Sequence, residues 1–168
     1  YIMHYANLAR AAGGVDAMII GSEMPGMSFV RDGAQNFPYV QALKQLAADV
    51  RQIVGATCKL TYAADWSEYH GYQPADEPGG KYFHLDPLWA APEIDAVGID
   101  NYMPLSDWRA DGDHADQALA RHEKDTNYLA KNIYAGERYD WYYASAEDRE
   151  AQIRTPIGDG AAGEAWVW

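Results

Sequence analysis

The chain has 168 residues and is 48% hydrophobic, enough to bury a sizeable core as one domain over residues 1–168, which sets aside disordered and fibrous classes. Thirteen Lys and Arg against 25 Asp and Glu leave a formal charge of -12, which repels phosphate backbones and anionic lipid surfaces and argues against nucleic acid as a partner. No run of about 18 apolar residues is present, so membrane insertion is not expected, and any targeting segment is expected upstream of Tyr1.

Ile2, Tyr5, Leu8, Ala9 and Ala12 recur at helical spacing and stop at Gly13-Gly14, predicting a first helix. Val15 to Ile20 is an almost unbroken apolar run, the pattern of a strand covered on both faces, and it delivers Gly21-Ser22-Glu23 at its C-terminal end. From Asn36, with Pro38 in the first turn, Val40, Leu43, Leu46, Ala47, Val50 and Ile53 predict an amphipathic helix ending at Gly55. Lys59 to Ala63 reads as a second strand, followed by a long aromatic loop from Asp65 to about Trp89. Ile94 to Ile99 reads as a third, ending in Asp100-Asn101-Tyr102. Beyond residue 110, helices are expected over Ala115 to Ala130 and Ala146 to Ile153, with an aromatic segment, Tyr134 to Tyr143, between them. A glycine-rich loop from Pro156 to Gly163 precedes Trp166-Val167-Trp168. Apolar strands alternating with helices predict an α/β fold with a parallel sheet. A complete (β/α)8 barrel takes about 250 residues, so the expectation is a fragment of such a TIM barrel.

In parallel α/β folds ligands bind at the C-terminal ends of the strands. Here those ends carry Ser22 and Glu23, Asp65 and Trp66, and Asp100, Asn101 and Tyr102. Glu23 follows apolar residues and a glycine; low-dielectric surroundings disfavour an ionised carboxylate, which suits a general acid. The alternative is a glutamate that merely caps or pairs at the start of a loop. Sugars present polar edges and apolar C–H faces, so their sites combine aromatic rings with Asp, Asn and Glu. Trp66, Tyr69, Tyr72, Tyr102, Trp108, Trp141 and Tyr142 supply candidate rings and Asp140 a further polar group; Trp89 is assigned to the core. Cys58 reads as a small buried hydrophobe. The five histidines show neither an HExxH motif nor paired i, i+4 spacing, and no GxSxG or P-loop motif occurs, so no metal and no cofactor are expected. Asp111-Gly112-Asp113 reads as a turn.

Asp16-Ala17-Met18-Ile19-Ile20-Gly21-Ser22-Glu23-Met24, Leu60 to Tyr69 (LTYAADWSEY) and Ile94 to Trp108 (IDAVGIDNYMPLSDW) together resemble the barrel domain of gene transfer agent and phage tail host-specificity proteins. The resemblance continues through Tyr139 to Tyr143 and Ile153 to Ile157. It implies a glycoside hydrolase-like barrel of the retaining kind, whose acid/base glutamate ends the fourth strand and whose nucleophile ends the seventh. On that mapping Glu23 is the acid/base, the three strands are the fourth to sixth, and the nucleophile is expected outside the chain, which alone is expected to be inactive. Ser22 departs from the family pattern, which places Asn there. Glu137 and Glu164 are fallback carboxylates, otherwise surface residues. The resemblance implies cell-envelope polysaccharide and other tail proteins as partners and the tail of a virus-like particle as location. Three readings stay open: a hydrolase, a glycan-binding module without hydrolysis, and a structural tail-tip element. Unpaired strand edges lead us to expect self-association.

Overall fold

The computed structural model describes residues 1–102, 104–110, 112–134 and 139–157. The fallback carboxylates Glu137 and Glu164, Asp111, residues 158–163 of the glycine-rich stretch and Trp166-Val167-Trp168 lie outside them. The chain divides into two compact units, Tyr1–Tyr102 and Met103–Trp168.

The first unit is built on α1 (Ile2–Ala11), β1 (Ala17–Ser22), α2 (Pro25–Ser28), α3 (Pro38–Val54), β2 (Lys59–Asp65), α4 (Asp86–Trp89) and β3 (Gly98–Asp100). The three strands form one parallel sheet in the order β1-β2-β3, an α/β arrangement that is not closed. In α3, Pro38 occupies the first turn, where its missing N–H costs nothing. Gly55 ends the helix at φ 83, a conformation that favours glycine. Its apolar stripe, Val40, Leu43, Ala47 and Val50, is buried against Ile20 of β1 and Leu60, Tyr62 and Ala64 of β2. Full burial of each larger aliphatic side chain there contributes about 1.5–3 kcal/mol. Cys58 is a buried thiol in this core, and Trp89 packs against it half-buried, as expected.

Strand ends depart from expectation by a few residues. β1 runs on to Ser22 because Glu23 N–H still bonds Ala63 C=O at 2.9 Å, and β3 is confined to Gly98–Asp100. Residues ahead of β3 are instead organised by Asp95. Its carboxylate takes the Leu60 N–H at 2.9 Å, Lys59 Nζ at 3.0 Å and Arg51 of α3 at 2.5 Å. The loop after β2 is more ordered than its composition suggests: Tyr72 and Tyr82 exchange backbone bonds at 2.8 and 2.9 Å, and α4 follows.

In the second unit the helix expected over Ala115 to Ala130 is two elements, a 3-10 turn at Ala115–Ala118 and α5 at Thr126–Tyr134. The segment is rich in Ala and charged residues, as a helix would be, but two side chains divide it. Asp116 is 2% exposed and bonds Arg154 at 2.5 Å and the Tyr128 hydroxyl, which draws the first segment inward. Asp125 then restarts the helix by accepting the Asn127 and Tyr128 N–H groups at 3.0 and 3.3 Å. α6 (Ala146–Ala151) is capped by Ser145, whose Oγ accepts Asp148 N–H at 3.1 Å. It stops two residues short of expectation because Gln152 turns left-handed at φ 54, where its Oε1 accepts the Ala115 N–H and its Nε2 donates to Asp107. β4 (Trp141–Tyr142) and β5 (Thr155–Pro156) form an antiparallel pair around α6 that periodicity did not reveal.

Candidate functional site

The sheet of the first unit ends in a polar rim whose form depends on one irregularity. Ile19 pairs with Thr61, so a regular ladder would set Gly21 opposite Ala63; a register shift sets Ser22 there instead. Bulges re-aim side chains in this way. Ser22 Oγ then donates to Asp100 Oδ2 at 2.7 Å, tying the end of β1 to the end of β3, while Asp65 and Asp100 lie side by side across the ladder. Glu23 follows at φ 51, a left-handed conformation that costs a non-glycine residue roughly 1–2 kcal/mol. Backbone strain of this kind clusters where side chains do chemistry. The Tyr102 hydroxyl bonds the Glu23 carboxylate, and this bond, with the nearby charges of Glu23, Asp100 and Asp65, raises the Tyr102 phenol above its ordinary value. Glu23 Oε1 is buried without a hydrogen-bond partner, which costs desolvation that nothing among the described residues offsets. The rim therefore holds three carboxylates, a serine and a tyrosine, with one carboxylate oxygen unsatisfied.

The second unit contains a cleft of about 680 Å³ walled by Trp108, Tyr139, Trp141 and Tyr143, with Asp107, Arg109 and Glu147 among its polar groups. Behind it, Arg154 bonds Asp107 at 2.9 Å and Asp116 at 2.5 Å, and lies 4.1 Å from the centroid of the Trp141 ring. Burial opposes the Arg154 charge, but the bonds to Tyr143, Asp107 and Asp116 outweigh it and hold the guanidinium firmly protonated. Burial likewise pushes Asp107 up, and donors from Tyr143, Arg154 and Gln152 reverse this, leaving its carboxyl below the usual range. Tyr128 is pushed up to about 12 by burial and by its bond to Asp116. Such a network fixes the cleft wall and takes up the Asp107 and Asp116 carboxylates, while Arg154 Nε is buried without a hydrogen-bond partner.

The family model for the GTA TIM-barrel-like domain matches residues 1–168, the whole chain. The chain belongs to that family. No curated protein matches it, and no solved structure does. In this GTA TIM-barrel-like domain, no helix among the described residues is long and apolar enough to cross a membrane.

The residues singled out from sequence fall into both units. Ser22, Glu23, Asp65, Asp100 and Tyr102 share the rim; Trp66 is half-buried after Asp65, and Asn101 is exposed after Asp100. Part of the Asp65 carboxylate is spent on its own turn, since Oδ1 accepts the Ser67 N–H at 2.8 Å and the Ser67 hydroxyl. Trp108 and Trp141 line the cleft of the second unit. Asp140 is exposed and gives its carbonyl to Ile157 N–H at 2.9 Å, and Tyr142 is half-buried in β4. Tyr139, stacked at 4.5 Å, and the Arg154 guanidinium already cover much of the Trp141 indole, so only its remaining surface faces the cleft. Tyr69 and Tyr72 are packing residues: both lie against the core, and Tyr72 stacks on Phe29 at 4.6 Å. Sequence reasoning passed over Tyr62 and Glu68, fully buried directly behind the rim. Tyr62 sits on the core-facing parity of β2 and Glu68 three residues after Asp65, where a side chain can reach back to cap the turn; that spacing was the available signal.

Proposed function

We propose that this domain engages cell-envelope polysaccharide as part of a gene transfer agent or phage tail host-specificity protein. In the full-length protein, on this reading, Glu23 donates a proton to the glycosidic oxygen. β1, β2 and β3 would then be the fourth to sixth strands of the barrel, and the tail of the particle the place of action. The observation that carries this reading is the rim. At the C-terminal edge of a parallel sheet, in a TIM-barrel-like family, a strained turn presents a glutamate whose buried Oε1 lacks a partner. A protonated Glu23 bonded to a leaving oxygen would satisfy that atom. As the C–O bond breaks, the proton moves to the departing sugar and a second carboxylate is required at the anomeric carbon. A retaining mechanism sets that carboxylate about 5–5.5 Å from the acid, an inverting one about 6.5–9.5 Å, with water between. Asp65 and Asp100 stand on the same rim, where they suit hydroxyl recognition.

Glu23→Gln in the full-length protein should reduce release of reducing ends from envelope polysaccharide by about 100-fold or more, the usual contribution of a general acid, while glycan binding persists. Turnover at the wild-type rate would remove Glu23 from the mechanism. The cleft of the second unit favours a second reading, glycan capture without cleavage. On that reading Trp108→Ala weakens glycan binding while no bond cleavage is detectable in the wild type.

A further inference from the structure

We propose that Tyr62 and Glu68 are positioning residues for Glu23: a buried carboxylate orients a buried phenol, and the phenol pins the strained turn that carries the candidate acid. Both side chains are 0% exposed. A carboxylate removed from water is costly unless its oxygens are met. Those of Glu68 are met by neutral donors: the Tyr62 hydroxyl stands 3.0 Å from Oε1 and 3.2 Å from Oε2, and the Asp65 N–H 3.1 Å from Oε2. A phenol has one proton. With that proton committed to Glu68, the outward side of the Tyr62 oxygen is left as an acceptor, and it receives the Met24 N–H at 3.0 Å. Without the carboxylate, the hydroxyl proton is free to rotate toward Met24 and oppose its N–H, donor against donor.

The placement bears directly on Glu23. Its own N–H is held by Ala63 C=O at 2.9 Å, and the next N–H, on Met24, by Tyr62. Consecutive residues of β2 thus hold the two amides that bracket a left-handed glutamate. The first bond is backbone to backbone and indifferent to sequence; the second depends on one side chain. Gly21 leaves room for that ring, since a Cβ there would stand 3.3 Å from Tyr62 Cδ2 and Cε2. Burial, reinforced by Glu68, pushes the Tyr62 phenol far above its ordinary value, so the hydroxyl stays protonated over any working pH.

This inference rests on the reading of Glu23 as acid, but its test separates the two. In the full-length protein carrying Tyr62→Phe, amide hydrogen exchange at Met24 should accelerate by about tenfold, as loss of one hydrogen bond implies. The kcat for glycan cleavage should fall about 10- to 100-fold with KM changed little, because misplacement of a reacting group is felt in the chemical step. Glu68→Gln keeps the volume and one acceptor oxygen and should fall between wild type and Tyr62→Phe in both measurements; if Tyr62→Phe does not fold, it carries the test. Met24 exchange at the wild-type rate overturns the proposal, as does faster exchange with kcat unchanged. If the wild type cleaves no glycan, the reading of Glu23 as acid fails, and Met24 exchange alone then decides whether Tyr62 pins the turn.

Discussion

Glycine and glutamate mark the two positions where backbone geometry decides most. Glu23 adopts φ 51, and the bonds from its own and the following N–H to β2 hold it there. Gly98 is required for a different reason, close approach. A Cβ at that position would lie 2.6 Å from the Tyr62 carbonyl oxygen and 2.8 Å from Thr61 Oγ1, with backbone unable to yield. Gly98→Ala should therefore destabilise the protein by about 1–3 kcal/mol, the usual cost of overpacking. It should also disturb the Ser22–Asp100 bond, because β3 carries Asp100. Gly26→Ala, where nothing lies within 4 Å, is the matched control and should leave the urea midpoint close to wild type. Equal midpoints for the two variants would contradict the close-approach account.

Among the elements, the amphipathic α3 formed as its apolar stripe dictated. The apolar run ahead of Asp100 gave only a three-residue strand, β1 leaves Ile19 exposed rather than covered on both faces, and segments governed by single polar contacts departed from their pattern. α3 follows its periodicity to the residue at which Gly55 stops it, because burial of one helix face outweighs any local preference. The composition of the stretch from Ala115 suits one helix, but the pull of Arg154 and Tyr128 on Asp116 and the new cap at Asp125 divide it; no local window contains residue 154. Asp95 plays the same part in the first unit, joining α3, β2 and the approach to β3. Its carboxyl is held well below the ordinary range, first by the Leu60 N–H and then by Lys59 and Arg51. A carboxylate with a depressed folded pKa adds stability that is present above its unfolded value, about 3.9, and lost as pH falls through the folded one. The thermal midpoint should thus drop steeply below about pH 4. Asp95→Asn should lower it at neutral pH and flatten that acid drop. A variant with the wild-type acid profile would show that Asp95 does not govern it.

For the molecule as a whole, the sheet of the first unit is open. Its outer strands expose Ile19 at 54% and Ile99 at 41%, and among the described residues β1 and β3 pair only with β2. An apolar strand edge is a template for another strand. Residues 1–168 expressed alone should accordingly self-associate as concentration rises in sedimentation velocity, and Ile19→Lys with Ile99→Lys should shift the distribution toward monomer. A wild-type monomer across the whole concentration range would refute this.

By itself the sequence determined the α/β class, the presence of three apolar strands and the amphipathic α3, because these follow from the pattern of apolar residues along the chain. It also placed polar residues at the strand ends, since a strand's C-terminal boundary is visible where the apolar run stops. Only the tertiary structure decided how those residues meet. The shift that sets Ser22 opposite Ala63, the Ser22–Asp100 bond across 78 positions and the Met24–Tyr62 bond beside Glu23 are contacts between distant segments. Their geometry depends on register and side-chain direction, which periodicity does not encode.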